Sequence, residues 1–192
     1  MKNKHKFIIT LNAPVVLCFV LICFVVTLIG ILTRGESTKL LFMTYHSSLL
    51  NPLTYLRFFT HVFGHADWKH FINNAMYLLI LGPMLEEKHG SATLAEIIGI
   101  TAVITGIISY IFFPGVALCG ASGIVFAFII LASFTGFKEG EIPLTFILVA
   151  VLYIGGQMIE GLTVKDNVSQ FGHIIGGLVG AAVGFLLNRK KK

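Results

Sequence analysis

The chain has 192 residues, of which 56% are apolar and 12% are charged, and it carries a formal net charge of +5. Soluble globular domains carry about twice this share of charged residues, so the composition excludes the ordinary soluble classes and indicates a membrane protein. Lys and Arg cluster at both termini, where membrane topology accounts for them, and the sequence gives no support to a nucleic-acid partner.

Long apolar runs predict an all-α integral membrane protein with six transmembrane helices in a single domain over residues 1–192. The predicted helices cover about residues 13–32, 69–85, 91–113, 121–137, 143–160 and 171–188. The first run is too long for a signal-peptide core, so we expect it to remain as a membrane anchor. Positive residues at both ends place both termini in the cytoplasm, which agrees with an even number of spans.

The segment between the first two predicted spans, about residues 33–69, is long and too apolar for a solvated loop. Loops of this length inside compact domains usually have a function. We expect this first loop to lie partly in the outer leaflet, as a membrane-associated segment with short helices of its own. Pro52 after Asn51 marks a turn or the start of such a helix.

Four polar residues fall at the outer ends of the second, fourth and sixth predicted helices, all of which run inward from the outer face. They are His70, Asn74, Ser122 and His173. At a rise of about 1.5 Å per residue, all four lie near one depth in the membrane. Polar side chains at that depth normally face the bundle interior or a water-filled cavity.

This set of residues suits acyl transfer. One imidazole could take the proton of Ser122 as a general base. Asn and His side chains, with a backbone N–H at the start of the fourth helix, could donate hydrogen bonds to a developing oxyanion. No acidic residue lies at this depth in the three helices, so a serine–histidine dyad is favoured over a triad.

Three short motifs resemble those of the rhomboid intramembrane serine proteases. The tetrapeptide GASG at residues 120–123 resembles their G-x-S-G, and residues 70–74 resemble their H-x-x-x-N. Residues 173–180 resemble their H-x-x-G-x-x-x-G, and the three motifs occur in the family's order on the corresponding helices. The resemblance implies a six-helix rhomboid-like bundle that cleaves transmembrane segments of other proteins in the bilayer. It implies no cofactor and no metal, and it favours a bacterial plasma membrane.

The resemblance also assigns roles. It makes Ser122 the nucleophile and His173 the base, while His70, Asn74 and the Ser122 amide would line the oxyanion hole. Supporting positions implied by the motifs are Gly120, Gly123, Phe126, Gly176 and Gly180. Phe126 stands where many members have a Tyr stacked on the catalytic imidazole. Leu56-Arg57 stands in place of the family's Trp-Arg pair, a departure that concerns anchoring of the first loop.

Other interpretations of the same residues stay open. His70 and Asn74 could join helices by hydrogen bonds, and glycines at 172, 176, 180 and 184 read as a packing stripe against Gly123 and Ala127. His61 and His65 are spaced to bind Zn²⁺, which leaves a metal-dependent membrane protein as an alternative. A catalytically silent scaffold that binds transmembrane helices is another, and the sequence predicts no oligomeric state.

Overall fold

The computed structural model describes residues 10–133, 144–145, 147–149, 151–152, 155 and 170–189, and most of these residues are helical. The helices are α1 (Pro14–Leu32), α2 (Glu36–Leu41), α3 (Pro52–Thr60), α4 (Trp68–His89), α5 (Ser91–Phe112), α6 (Ser122–Ser133) and α7 (Gln170–Arg189), with a 3₁₀ turn at His61–Phe63. Most of the helix predicted over 143–160, and residues 134–137 of the one predicted over 121–137, lie outside the described residues.

Two helices in the described part of the chain, α1 and α5, are long and apolar enough to cross a membrane by length and composition alone. α6 and the part of α7 over 172–183 are shorter apolar helices. α4 is 22 residues long and carries polar side chains near both ends. The mostly helical architecture agrees with the predicted class, and the count of six spans stays a prediction.

The segment between α1 and α4 folds onto the rest of the molecule. Asn51 caps α3, because its side chain accepts a hydrogen bond from the Leu53 amide at 3.0 Å, and Pro52 opens the helix. Thr44 pairs with Leu118 through two backbone hydrogen bonds of 2.9 and 2.8 Å. This pairing fastens the segment to the loop that precedes α6.

Arg57 shows how the segment is anchored without the aromatic partner expected from the family pattern. Its side chain is only 2% exposed, and its Nε donates to the Leu53 carbonyl at 2.9 Å. The guanidinium carbon lies 4.3 Å from the centre of the Tyr45 ring, a cation–π contact. The neighbouring Leu56 is exposed. Arg57 and Tyr45 therefore hold this part of the first loop.

The apolar core lies between α1, α4, α5 and α6. Among its fully buried side chains are Val16, Leu78, Leu94 and Phe128. A Cβ added at Gly82 would come within 2.6 Å of the Val16 side chain, so the Val16 side chain of α1 packs directly against the backbone of α4 at Gly82. Asp67 caps α4 by accepting from the His70 amide at 2.7 Å, which fixes where α4 begins.

Glu86 joins the opposite end of α4 to the start of α1. Its two carboxylate oxygens accept the Val15 and Val16 amides, each at 3.0 Å, and Oε1 also accepts the Ser91 hydroxyl at 2.7 Å. No side chain of α1's own N-cap serves these amides. A carboxylate at a helix N-terminus satisfies N–H groups that the helix cannot, and it interacts favourably with the helix dipole.

We expect Glu86→Ala to lower the free energy of unfolding by about 2–3 kcal/mol, because buried N–H groups lose a charged acceptor. The measurement is thermal unfolding in detergent. Glu87→Ala is the matched control, since Glu87 is the exposed neighbour and its loss should leave the unfolding temperature unchanged. Equal unfolding temperatures for the two variants would contradict this account of α1.

Candidate active site

Gly120, two residues before Ser122, lets three parts of the chain meet. Its φ of +120° lies in the region that side chains rarely adopt. A Cβ placed there would come within 2.7 Å of both Cε1 and Nε2 of His70, and 3.6 Å from the amide nitrogen of Asn74. Because Gly120 has no side chain, His70 and Asn74 can pack directly against the backbone that leads into Ser122.

Two successive amides of this loop are held by the 3₁₀ region. The Gly120 amide donates to the His61 carbonyl at 2.9 Å, and the Ala121 amide donates to Nε2 of His65 at 3.4 Å. The Ala121 carbonyl accepts the amides of Ile124 and Val125 at 2.9 and 3.0 Å, which starts α6. Ser122 is thus the first residue of α6, where amides have no partner inside the helix and the dipole favours negative charge.

His173 approaches this end of α6 from α7. Its ring centroid lies 4.7 Å from that of Phe126, with the ring planes tilted by 42°. Phe126 is one helical turn from Ser122 on α6, so the imidazole lies beside the helical face that carries the serine. Ser122 and His173 are both partly buried.

α6 and α7 are packed through small residues. A Cβ at Gly176 would overlap the backbone of Gly123, and one at Gly180 would overlap the backbone of Ala127. The two helices therefore touch backbone to backbone over successive turns, the arrangement typical of small-residue stripes in membrane helices. This packing fixes how close His173 comes to the first turn of α6.

Asn74 has an unused donor in this site. The residue is 6% exposed, and its side-chain nitrogen, Nδ2, has no hydrogen-bond partner among the described residues. An unpaired buried donor costs about 1–3 kcal/mol, and Nη1 of Arg57 and Nδ1 of His61 are other buried atoms without a partner in the described part of the chain. Asn73, its neighbour on α4, is exposed and points elsewhere.

The metal-dependent alternative rests on His61 and His65. Their rings form hydrogen bonds with different parts of the protein. Nε2 of His61 lies 3.0 Å from the Ala102 carbonyl, and Nδ1 of His65 lies 3.2 Å from the Phe63 carbonyl. Burial lowers the pKa of His61 to about 4 and that of His65 to about 3, so both are neutral at neutral pH. Across the described ranges, no group of three or more His, Cys, Asp or Glu side chains is placed to hold a metal ion.

The contact of His65 with Ala121 was missed by the sequence analysis, which considered His65 only as a metal ligand. The two residues are 56 positions apart. Neither the helical period nor any local motif connects them, because the contact forms only when the 3₁₀ turn packs under the loop before α6.

The site therefore has a serine at the start of a packed helix and a histidine from another helix beside it. A family model of the Rhomboid domain matches residues 52–190, which is most of the chain, and the protein therefore belongs to the rhomboid family. This confirms the family that the three motifs predicted.

Similar proteins include the "Rhomboid protease GlpG" of Salmonella paratyphi A and that of Salmonella typhi, each 27% identical over 201 residues. The corresponding protein of Salmonella newport is 26% identical. Each alignment covers 99% of this chain and 71% of the relative.

Gly120→Ala should lower the free energy of unfolding by about 1–3 kcal/mol, because alanine is strained at a positive φ and its Cβ would meet the His70 ring. Gly115→Ala, in the same loop, is the control. Its Cβ would meet nothing within 4 Å, so the unfolding temperature should not fall. Thermal unfolding in detergent compares the two, and equal stability would show that Gly120 does not set the approach of α4 to the loop.

Proposed function

We propose that this protein is an intramembrane serine endopeptidase that cleaves transmembrane segments of other membrane proteins, with Ser122 and His173 as a catalytic dyad. The observation that carries the proposal is the approach of two helices, α4 and α7, to the start of α6. His70 and Asn74 of α4 pack against Gly120, and His173 of α7 contacts the ring of Phe126.

In this mechanism the Ser122 hydroxyl oxygen attacks the scissile carbonyl carbon while its proton passes to the His173 imidazole. The C–N bond of the tetrahedral intermediate then breaks, and the imidazolium protonates the departing amine. Water hydrolyses the resulting acyl-enzyme by the same exchange of the proton. The dyad form has no carboxylate, and the ring of Phe126 packs against the imidazole and would help to orient it.

The oxyanion would be stabilised by the amide of Ser122, the Asn74 side chain and His70. An oxyanion is a strong acceptor, so it would satisfy the buried Asn74 donor that has no partner among the described residues. Preorganised donors of this kind act most strongly in a site from which water is largely excluded. The position of Ser122 at the N-terminus of α6 adds the favourable end of the helix dipole.

The setting of this chemistry is also part of the proposal. The chain would form one membrane domain of six spans, with both termini in the cytoplasm of a bacterial cell and the active site near the outer face. Its partners would be transmembrane substrates and the lipid bilayer. A silent scaffold would need neither a reactive serine nor a base, and a metal-dependent protein would respond to chelators, so labelling of the serine separates all three.

A fluorophosphonate probe should label Ser122 in detergent without any substrate, because it traps a serine whose proton a base can accept. Ser122→Ala should abolish labelling, and His173→Ala should nearly abolish it. Labelling of the wild type should fall as the pH is lowered into the range where an imidazole is protonated. EDTA should leave it unchanged.

Three results would contradict this assignment. Equal labelling of wild type and His173→Ala at neutral pH would mean that the base is another group. Loss of labelling with EDTA and recovery with Zn²⁺ would favour the metal-dependent alternative. A folded wild type that is never labelled would favour the scaffold.

Asn74→Ala should slow cleavage of a model transmembrane substrate by up to about 10²–10³-fold, the usual cost of removing one oxyanion donor. The effect should be on kcat, because the oxyanion exists only after attack. Asn73→Ala is the matched control: the same side chain on the same helix, but exposed, and its loss should leave kcat unchanged. If the two variants cleave at the same rate, Asn74 has a structural role only.

A further inference from the structure

His65 has protein partners at both of its ring nitrogens. Nδ1 lies 3.2 Å from the Phe63 carbonyl and 3.4 Å from the Thr27 hydroxyl. Nε2 accepts a hydrogen bond from the Ala121 amide at 3.4 Å. The residue is 3% exposed, so water does not substitute for these partners.

These contacts define the tautomer. An amide N–H can only donate, so Nε2 must carry a lone pair and the ring proton must be on Nδ1, where the Phe63 carbonyl accepts it. A doubly protonated ring would set an N–H against the Ala121 N–H. Burial lowers the pKa of His65 to about 3, with the charge of nearby His70 acting in the same direction and Asp67 opposing it. The ring is therefore neutral at any pH at which the protein would work.

The amide that His65 holds belongs to the residue directly before Ser122. The preceding amide, that of Gly120, is held by the His61 carbonyl. Because both amides are engaged, rotation of these peptide units would break a hydrogen bond. The first amide left without a partner inside α6 is that of Ser122. Small rotations here would move both the serine hydroxyl and its amide.

His65 also contacts the other side of the site. Its ring packs edge to face on His70, with centroids 5.0 Å apart. One imidazole therefore contacts both the backbone directly before the nucleophile and a side chain proposed as an oxyanion donor. Thr27 and Phe63 hold that imidazole from behind, on α1 and the 3₁₀ turn.

From this geometry we infer that His65 is a positioning residue, a neutral imidazole that fixes the Ala121 amide and thereby the placement of Ser122 and its amide. The inference rests on the proposed function, in which Ser122 is the nucleophile. It gives His65 a role that neither binds metal nor touches substrate.

Two substitutions separate this role from simple core packing. In His65→Asn the side-chain amide reaches only the position that Nδ1 occupies in the imidazole. It can therefore still donate a hydrogen bond to the Phe63 carbonyl, but it cannot accept one from the Ala121 amide. In His65→Gln the longer side chain carries its amide to the position of Nε2, where its oxygen can accept the Ala121 N–H. Each variant is measured by the rate of fluorophosphonate labelling at saturating probe, by the probe concentration at half-saturation, and by thermal unfolding.

We expect His65→Asn to lower the maximal labelling rate by about ten- to a hundredfold, as expected for a misplaced reacting group, with the half-saturating concentration unchanged. His65→Gln should label within a few-fold of the wild type. His46→Asn, an exposed histidine in the same first loop, is the control and should label at the wild-type rate.

The inference is overturned if His65→Asn labels as fast as the wild type, or if both substitutions lose labelling only in step with a lowered unfolding temperature. It is also overturned if neither variant folds, because His65 would then be a core residue. A wild type that is not labelled at Ser122 would instead overturn the proposed function and this inference together, so the two failures are distinguishable.

Discussion

The site depends on one steric constraint: two other helices must reach the start of α6 with almost no side chain between them. Gly120 gives His70 and Asn74 access on one side, and Gly176 lets α7 rest on the backbone of Gly123 on the other. Helices packed this closely lack the space for large rearrangements, so the positions of Ser122 and His173 are set by backbone contact. Preorganisation of this kind is what electrostatic stabilisation of an oxyanion requires.

A second constraint is the satisfaction of polar groups in an apolar molecule. Glu86 accepts hydrogen bonds from the amides at the start of α1, and Arg57 donates to a carbonyl and stacks on the Tyr45 ring. His65 has hydrogen-bond partners at both ring nitrogens. Each of these groups would cost several kcal/mol if buried without partners. Other buried polar atoms have no hydrogen-bond partner among the described residues, including Nη1 of Arg57, Nδ1 of His61 and the side-chain nitrogen of Asn74. Among these unpaired atoms, the Asn74 nitrogen is the one that lies against the loop leading into Ser122.

Local pattern was enough to predict much of this arrangement. The motif at 120–123 marked Ser122, and helical spacing put His70 and Asn74 on one face of α4. The spacing of Gly176 and Gly180 matched that of Gly123 and Ala127, and the structure packs these pairs together. The catalytic roles of Ser122 and His173 remain proposals, and the family is confirmed. His65 and Arg57 could not be interpreted in the same way, because their partners lie far away in the chain or are backbone groups.

The sequence by itself determined the membrane class, the helical periods and the three motifs of the rhomboid family, since these depend on composition and on contacts within a few residues. Only the tertiary structure decided which buried polar atoms find partners. The Ala121 amide meets His65, and the Gly120 amide meets the His61 carbonyl, because the 3₁₀ turn packs beneath the loop before α6. These contacts join residues more than fifty positions apart, and in each of them at least one partner is a backbone group. Because nearly every residue carries such groups, the residue type gives no indication of the contact in advance.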